Sequence, residues 1–181
     1  MKALSLILLL CSLIFNTRAQ NVDYKAEAIN VSKTGNYKYA IELLQKAKIE
    51  NPNDPEIYYY LGVFMHYLAY DSTPLAQYDS TYTNKVIPFF NKAIELRPDY
   101  GDAFYFIGAQ YGAKASDAMR NGNPKEYVKA FKEGYDAGGY PAWLLEYDRN
   151  ILKSCDTNAI LFVGGDAEMD PIQISLRNVA S

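Results

Sequence analysis

The sequence predicts an all-α protein that is built from successive helical hairpins. Apolar residues recur at the spacing of an amphipathic helix along residues 35–47, and Pro52 ends this helix because proline has no backbone N–H to donate. The same apolar stripe returns along residues 86–93 and ends before Pro98. The two helix ends read KAKIENPND at 46–54 and KAIELRPDY at 92–100. This repetition indicates that the chain is made of similar helical units.

Residues 1–19 have the layout of a secretory signal peptide. The start is positively charged, residues 3–15 are almost entirely apolar, and Thr17 and Ala19 form a pair typical of a cleavage site. We expect cleavage between Ala19 and Gln20 and export of the remaining chain, either to the periplasm or as a secreted protein. The apolar run is shorter than the about 20 residues that span a bilayer. An uncleaved membrane anchor is the alternative.

The composition argues against several kinds of partner and site. The formal net charge of −3 at pH 7 lacks the basic footprint of a nucleic-acid-binding protein. No stretch after the signal peptide is apolar enough for a membrane span, so we expect no integral span after cleavage. Cleavage would also remove Cys11 and leave Cys155 as the single cysteine. No internal disulfide is therefore expected, and Cys155 is interpreted as a small buried hydrophobe.

The repeated residues resemble the tetratricopeptide repeat (TPR), a pair of antiparallel helices of about 34 residues. The first unit matches at Tyr24, Ala28, Ala40, Leu44, Ala47 and Pro52. The second unit matches at Tyr58, Leu61, Gly62, Met65, Val86, Phe90, Ala93 and Pro98. The third unit matches at Phe104, Ile107, Gly108, Tyr111, Tyr127, Ala130, Gly134 and Ala137. The resemblance covers roughly residues 21–138 and implies an α-α superhelix of about three hairpins in a repeat domain at 20–138.

Small residues and an end helix complete this predicted stack. Gly62 and Gly108 should let the two helices of a hairpin approach closely, where a larger side chain would collide. Each hairpin leaves one apolar face that must be covered by a neighbour. We expect a capping helix from Pro141 to Lys153 to cover the last unit. The rest of the segment 139–181 is expected to be a C-terminal extension with a short irregular or β tail.

An insertion of about a dozen residues, at 70–81, separates the two helices of the second unit. Thr73-Pro74 within it predicts an early start for the following helix, with a bend at Pro88. Insertions of this kind lie on one rim of a repeat protein and often belong to its binding face. A variable, solvated loop is the alternative interpretation.

In the resembled family, the first helix of each hairpin lines a concave groove. The resemblance therefore implies a protein or peptide partner that is held in this groove. Tyrosine suits such a surface, because its ring buries area while its hydroxyl stays hydrogen-bonded. Two alternatives stay open: tyrosines that pack against the C-terminal helix, and an ordinary surface or half-buried His66. The predicted groove residues are Tyr59, Val63, His66, Tyr67, Tyr105 and Gln110.

The residues needed for catalysis or metal binding are missing. His66 is the only histidine, whereas zinc sites of the cysteine and histidine type need three or four ligands. The segment GGDAEMD at 164–170 has the alternating carboxylates of a calcium loop. However, Pro171 and Arg177 stand where that loop requires glycine and glutamate. We therefore predict no catalytic site, no metal and no cofactor.

The segment 158–166, which reads NAILFVGGD, and the following Asp170-Pro171-Ile172 resemble part of a group of bacterial membrane glycosyltransferase-like proteins. These proteins typically read I-L-F-x-x-G-D-N-D-x-x-P-L-W, and some carry tetratricopeptide repeats. The resemblance implies a short strand at Ala159 to Val163. It also implies an alternative function, a truncated or accessory fragment of a glycosyltransferase-like envelope protein. A homo-oligomer joined through the end helices is a further alternative.

Overall fold

A computed structural model describes residues 22–72 and 80–179 of the chain. This part of the protein contains helices and connecting turns but no β-strand, so the predicted all-α class is confirmed. The first four helices are α1 (Tyr24–Ser32), α2 (Tyr37–Glu50), α3 (Pro55–Ser72) and α4 (Ser80–Leu96). The others are α5 (Gly101–Arg120), α6 (Pro124–Asp136), α7 (Ala142–Ser154) and α8 (Asp166–Val179).

Local sequence signals set most helix ends. Helix α2 ends at Glu50 and α4 ends at Leu96, each two residues before a proline, as the repeated helix ends predict. Proline cannot continue a helix, because its ring removes an N–H and clashes with the preceding turn. Four helices of the described ranges are preceded by a side chain that accepts a backbone N–H, which satisfies one of the unpaired donors of the first turn. These caps are Asp23 for α1, Asn36 for α2, Asp54 for α3 and Asn123 for α6.

Consecutive helices pack against one another from α1 to α6. Within each expected hairpin, α1 packs on α2, α3 on α4 and α5 on α6, and each hairpin also contacts the next. The small and apolar residues that carry the repeat pattern are buried between these helices, where they remove apolar surface from water. The fully buried members of this set are Ala28, Ala40, Leu44, Leu61, Val86, Phe90, Ala93, Ile107 and Ala130.

Two glycines allow close helix contacts. A Cβ atom on Gly62 would lie 2.6 Å from the ring of Phe90, so α3 could not approach α4 as closely with a larger residue. A Cβ atom on Gly108 would lie 2.6 Å from the carbonyl oxygen of Gly139, which follows α6. The Tyr140 hydroxyl donates a hydrogen bond of 2.9 Å to the Gly108 carbonyl at the same point. The expected close approach of the two helices of a hairpin is therefore present at Gly62, whereas Gly108 approaches the backbone just after α6.

The helix that covers the last hairpin is not the predicted one. A helix forms at α7, close to the expected 141–153, but it is α8 that packs on both α5 and α6. Helix α7 packs mainly on α8. The expected irregular or β tail is wrong from Asp166 onward. The carboxylate of Glu168 accepts the Gly164 N–H over 3.0 Å, and Ile172 and Ile174 supply a buried apolar side, so this segment is stable as a helix.

Two predictions fall partly or wholly on residues outside the described ranges. The signal peptide at 1–19 lies outside them, and so does the helix start at Thr73-Pro74. Of the insertion at 70–81, only its two ends are described, as the end of α3 and the start of α4. Pro88 lies inside α4. Among the helices of the described ranges, none has the length and apolarity to cross a bilayer.

Two glycines of α5, Gly108 and Gly101, should differ in how much their replacement by alanine changes the stability of the protein. The substitution Gly108→Ala should destabilise the protein by about 1–3 kcal/mol, because the new methyl group meets backbone that cannot rotate away. Gly101→Ala is the matched control, because no atom lies within 4 Å of its Cβ position, and it should be neutral or slightly stabilising. Urea unfolding followed by circular dichroism measures both, and equal stability of the two variants would contradict the packing described.

Candidate partner-binding surface

The ring of Phe106 on α5 is the centre of an aromatic cluster. It is buried, and its position between α3, α4 and α5 brings rings from all three helices into contact. The centroids of five neighbouring rings lie between 5.4 and 6.4 Å from its own. These distances are in the range at which aromatic pairs attract one another. The neighbours are Tyr59, His66, Tyr67, Phe90 and Tyr105.

The six predicted groove residues divide by exposure. Tyr67 and Tyr105 are exposed, at 40% and 52%. Tyr59 and His66 are half-buried within the cluster. Val63 and Gln110 are buried, so these two do not line a surface that a partner could touch. Val63 packs in the core between helices, and the Gln110 amide hydrogen-bonds the His66 ring across the contact between α3 and α5.

We call the exposed part of this cluster the aromatic surface, and define it by Tyr37, Tyr59, Tyr67 and Tyr105. Tyr37 on α2 joins it because its ring stacks on that of Tyr67 at 5.4 Å. The surface therefore crosses from the first hairpin through the second to the third. Each exposed ring rests on another ring, so its side chain has already lost part of its freedom before a partner binds. Such pre-organised aromatic side chains are the residues that contribute most to binding in protein interfaces.

His66 is held neutral at the base of the surface. Burial lowers its pKa from 6.5 to about 4, because the charged imidazolium would lose its hydration. The ring Nδ1 lies 2.5 Å from the Gln110 amide nitrogen. A neutral ring at this position links two helices through a hydrogen bond. It therefore gives the aromatic surface no positive charge near neutral pH.

The hydroxyls of Tyr59 and Tyr100 also stay uncharged. Burial raises the pKa of Tyr59 well above its usual value of 10.0, and the charge of Asp102 adds to this effect. Burial raises the pKa of Tyr100 to about 12, although the nearby Arg97 acts in the opposite direction. The guanidinium of Arg97 lies 3.4 Å from the centre of the Tyr100 ring, which is a cation–π contact. These two hydroxyl groups therefore remain protonated at neutral pH.

Phe106 and Tyr37 belong to this cluster but were missing from the predicted groove. The position of Phe106 directly after Tyr105 does not single it out. However, Phe106 and the predicted Gln110 are four residues apart and so share one face of a helix. Tyr37 is the first residue of the apolar stripe of α2, which predicts burial in the hairpin rather than a contact with Tyr67.

The GGDAEMD segment does not have the backbone of a calcium loop. Helix α8 begins at Asp166, so Glu168 and Asp170 lie on a helix and point to different sides of it. Asp170 is buried against α5, where its carboxylate occupies the space that a Cβ atom on Gly112 would need. Within residues 22–72 and 80–179, no three cysteine, histidine, aspartate or glutamate side chains are grouped so that they could hold a metal.

One buried carboxyl group lies away from the aromatic surface. Asp148 on α7 is buried at the contact with α8, and its Oδ2 atom has no hydrogen-bond partner. Burial raises its pKa, and the charge of Glu168 adds to the effect. Cys155, at the end of α7, donates its thiol to the Ile151 carbonyl over 3.4 Å. No histidine accompanies either group, because the single His66 belongs to the aromatic cluster.

In comparisons with known proteins, the chain matches no protein-family model, no curated protein and no solved structure.

The buried His66 predicts a specific pH dependence of stability. The unfolded chain binds a proton at this residue near pH 6.5, whereas the folded protein resists protonation down to about pH 4. Stability should therefore fall as the pH drops through this interval, by about 2 kcal/mol between pH 7.5 and pH 5. Urea unfolding at several pH values measures this loss.

The matched variant is His66→Gln, which cannot titrate in this range and keeps a side chain that can hydrogen-bond Gln110. It should lack the histidine part of the pH dependence. Relative to the natural protein, the variant should therefore become more stable toward unfolding as the pH falls. A constant difference from pH 7.5 to pH 5 would show that His66 titrates normally in the folded state.

Proposed function

We propose that this protein is an exported scaffold of the tetratricopeptide-repeat type that binds another protein and has no catalytic activity of its own. The observation that carries the proposal is the pair of exposed tyrosines, Tyr67 and Tyr105, that rest on the ring of Phe106. The partner is an extended peptide or a helix that lies across the aromatic surface.

The chemistry of the surface favours a protein partner. Its rings supply apolar area, and its hydroxyls supply hydrogen bonds without fixed charge. This combination is typical of the central part of protein interfaces, which is rich in tyrosine and poor in charged side chains. A single buried layer of rings beneath Tyr67 and Tyr105 holds them in place, so less entropy is lost when a partner binds.

The repeat assignment is supported by burial and by helix order. The residues that resemble the repeat pattern are the small and apolar ones that separate packed helices, among them Ala40, Leu61 and Ala93. Three hairpins follow one another, and each contacts the next. Each such hairpin depends on its neighbour for burial of an apolar face, which is how repeat proteins are stabilised.

The binding prediction is tested on the two exposed tyrosines together. Proteins recovered by the natural protein from extracts of the cells that produce it are identified, and their dissociation constants are then measured by calorimetry. The double variant Tyr67→Ala/Tyr105→Ala should bind the partner at least tenfold more weakly, because loss of two interface aromatics costs more than about 1.4 kcal/mol.

The matched control replaces two exposed tyrosines of α6 and α7, Tyr135 and Tyr147, by alanine. This control removes the same number of rings away from the aromatic surface, so it should bind as the natural protein does. Equal recovery and equal affinity for both double variants would reject the aromatic surface as the binding site. Light scattering at two concentrations tells whether the recovered partner is a second copy of this chain.

Export is tested separately through the N-terminus. When the full chain is produced in a bacterium with an intact secretion pathway, the exported fraction should begin at Gln20, because cleavage is expected after Ala19. Intact mass measurement gives the terminus. A protein that keeps Met1 and stays with the cytoplasmic fraction would contradict the signal peptide. A protein that keeps Met1 in the membrane fraction would establish the uncleaved anchor instead.

A further inference from the structure

The connection between α7 and α8 contains an apolar stretch outside both helices. Residues 160–163 belong to no helix, and their side chains alternate in exposure. Ile160 and Phe162 are 81% and 90% exposed, whereas Leu161 and Val163 are each 38% exposed. Alternation with a period of two is the side-chain pattern of a β-strand, in which successive side chains point to opposite faces. This pattern indicates an extended backbone, so we call residues 160–163 the extended segment.

The backbone of the extended segment is not engaged in hydrogen bonds with the described part of the chain. The Ala159 N–H donates to the Asp156 carbonyl over 3.1 Å, and the Gly164 N–H donates to Glu168 over 3.0 Å. Between these two points, no N–H group of residues 160–163 donates to another described residue. The segment is thus fixed at both ends and presents free strand edges, which are templates for pairing with another chain.

A cleft lies beside the extended segment. Its volume is about 460 Å³, and it is formed by the end of α7, the connection and α8. Leu161 and Val163 supply one wall, and α8 supplies apolar side chains opposite them, namely Met169, Ile172 and Leu176. Polar side chains also line the cleft, among them Lys153 and Asp156.

We propose that this cleft binds an apolar peptide in extended conformation, which pairs as a strand with residues 160–163. Backbone hydrogen bonds to the segment would give affinity, and alternate side chains of the peptide would enter the cleft. The site lies on α7 and α8, apart from the aromatic surface on α2, α3 and α5. It is therefore a second binding site, and it does not depend on the function proposed above.

The size and charge of the site favour an extended peptide over a second copy of the chain and over a membrane surface. A stable contact with a second copy needs about 20–30 residues on each side, whereas twelve described residues line the cleft. An anionic membrane surface is disfavoured because two carboxylates, Asp156 and Glu168, flank the segment, whereas Lys153 is the single cation among the described residues that line the cleft. An uncharged extended peptide meets neither obstacle, and its backbone matches the unpaired groups of the segment.

The probe is a fluorescein-labelled, acetylated octapeptide of alternating valine and threonine, titrated by fluorescence anisotropy against the whole protein. Two matched pairs of variants test strand pairing. They are Leu161→Pro with Leu161→Ala, and Phe162→Pro with Phe162→Ala. Proline removes the backbone N–H, whereas alanine keeps it, and each pair loses the same native side chain.

Neighbouring N–H groups of a strand point to opposite edges of the strand. A peptide that pairs with one edge therefore bonds to the N–H group of Leu161 or to that of Phe162, but not to both. In one of the two pairs, the proline variant should therefore bind about tenfold more weakly than its alanine control. In the other pair, proline and alanine should bind alike. Circular dichroism checks that all four variants keep the native helix content, which is expected because the segment makes no helix contact through its backbone.

Several outcomes would overturn the proposal. One is the absence of saturable binding of the octapeptide by the natural protein, and another is equal binding by proline and alanine in both pairs. A third is loss of octapeptide binding in Tyr67→Ala/Tyr105→Ala, which would assign the peptide to the aromatic surface. Self-association that the proline variants abolish would identify a second copy as the occupant. Binding to vesicles of anionic lipid that the variants abolish would identify a bilayer instead.

Discussion

The fold depends on how closely its helices can approach one another. Helix backbones come within contact distance only where the side chain is absent or very small, and the chain supplies such residues at each contact. The backbone of Gly108 meets that of Gly139, and the ring of Phe90 lies directly over Gly62. Ala28, Ala40 and Ala93 lie at other buried positions of the stack. Because these contacts set the spacing of the helices, they also determine which larger side chains are enclosed and which are exposed.

The aromatic surface is one consequence of this spacing. With α3 and α4 held together at Gly62, the ring of Phe90 stacks on that of Phe106 from the next hairpin, at 5.4 Å. Phe106 then supports the tyrosines around it. The same residues thus belong to the core on one side and to an exposed surface on the other. A substitution within this cluster would change stability and binding together, whereas a substitution of an exposed ring acts mainly on binding.

Most of the fold could be predicted from the sequence, because its signals are local. Pro52 and Pro98 end helices by removing an N–H, whatever surrounds them, and the apolar stripes of α2 and α4 need only helical periodicity. The C-terminal helix could not be predicted in this way. Its alternating carboxylates and Pro171 imitate a loop, and the helix is stabilised by distant contacts such as those of Ile174 in the buried apolar cluster with Ala115 and Ala130.

The candidate site was predicted less completely for the same reason. Periodicity assigns a residue to a face of its own helix, but a neighbouring helix decides whether this face is open. Val63 lies on the same face of α3 as Tyr67, yet it is buried in the core, and Gln110 of α5 is enclosed beside His66. The exposed ends of Tyr67 and Tyr105 are long enough to extend past this contact, and so they remain accessible.

Two titratable groups in different parts of the molecule respond to acid in opposite ways. At His66, proton uptake places a charge between α3 and α5, because burial lowers the pKa of the ring to about 4. At Asp148 on α7, proton uptake removes a negative charge, because burial and the nearby Glu168 raise the pKa of that carboxyl group. Acidification thus weakens the middle of the chain relative to its C-terminal helices.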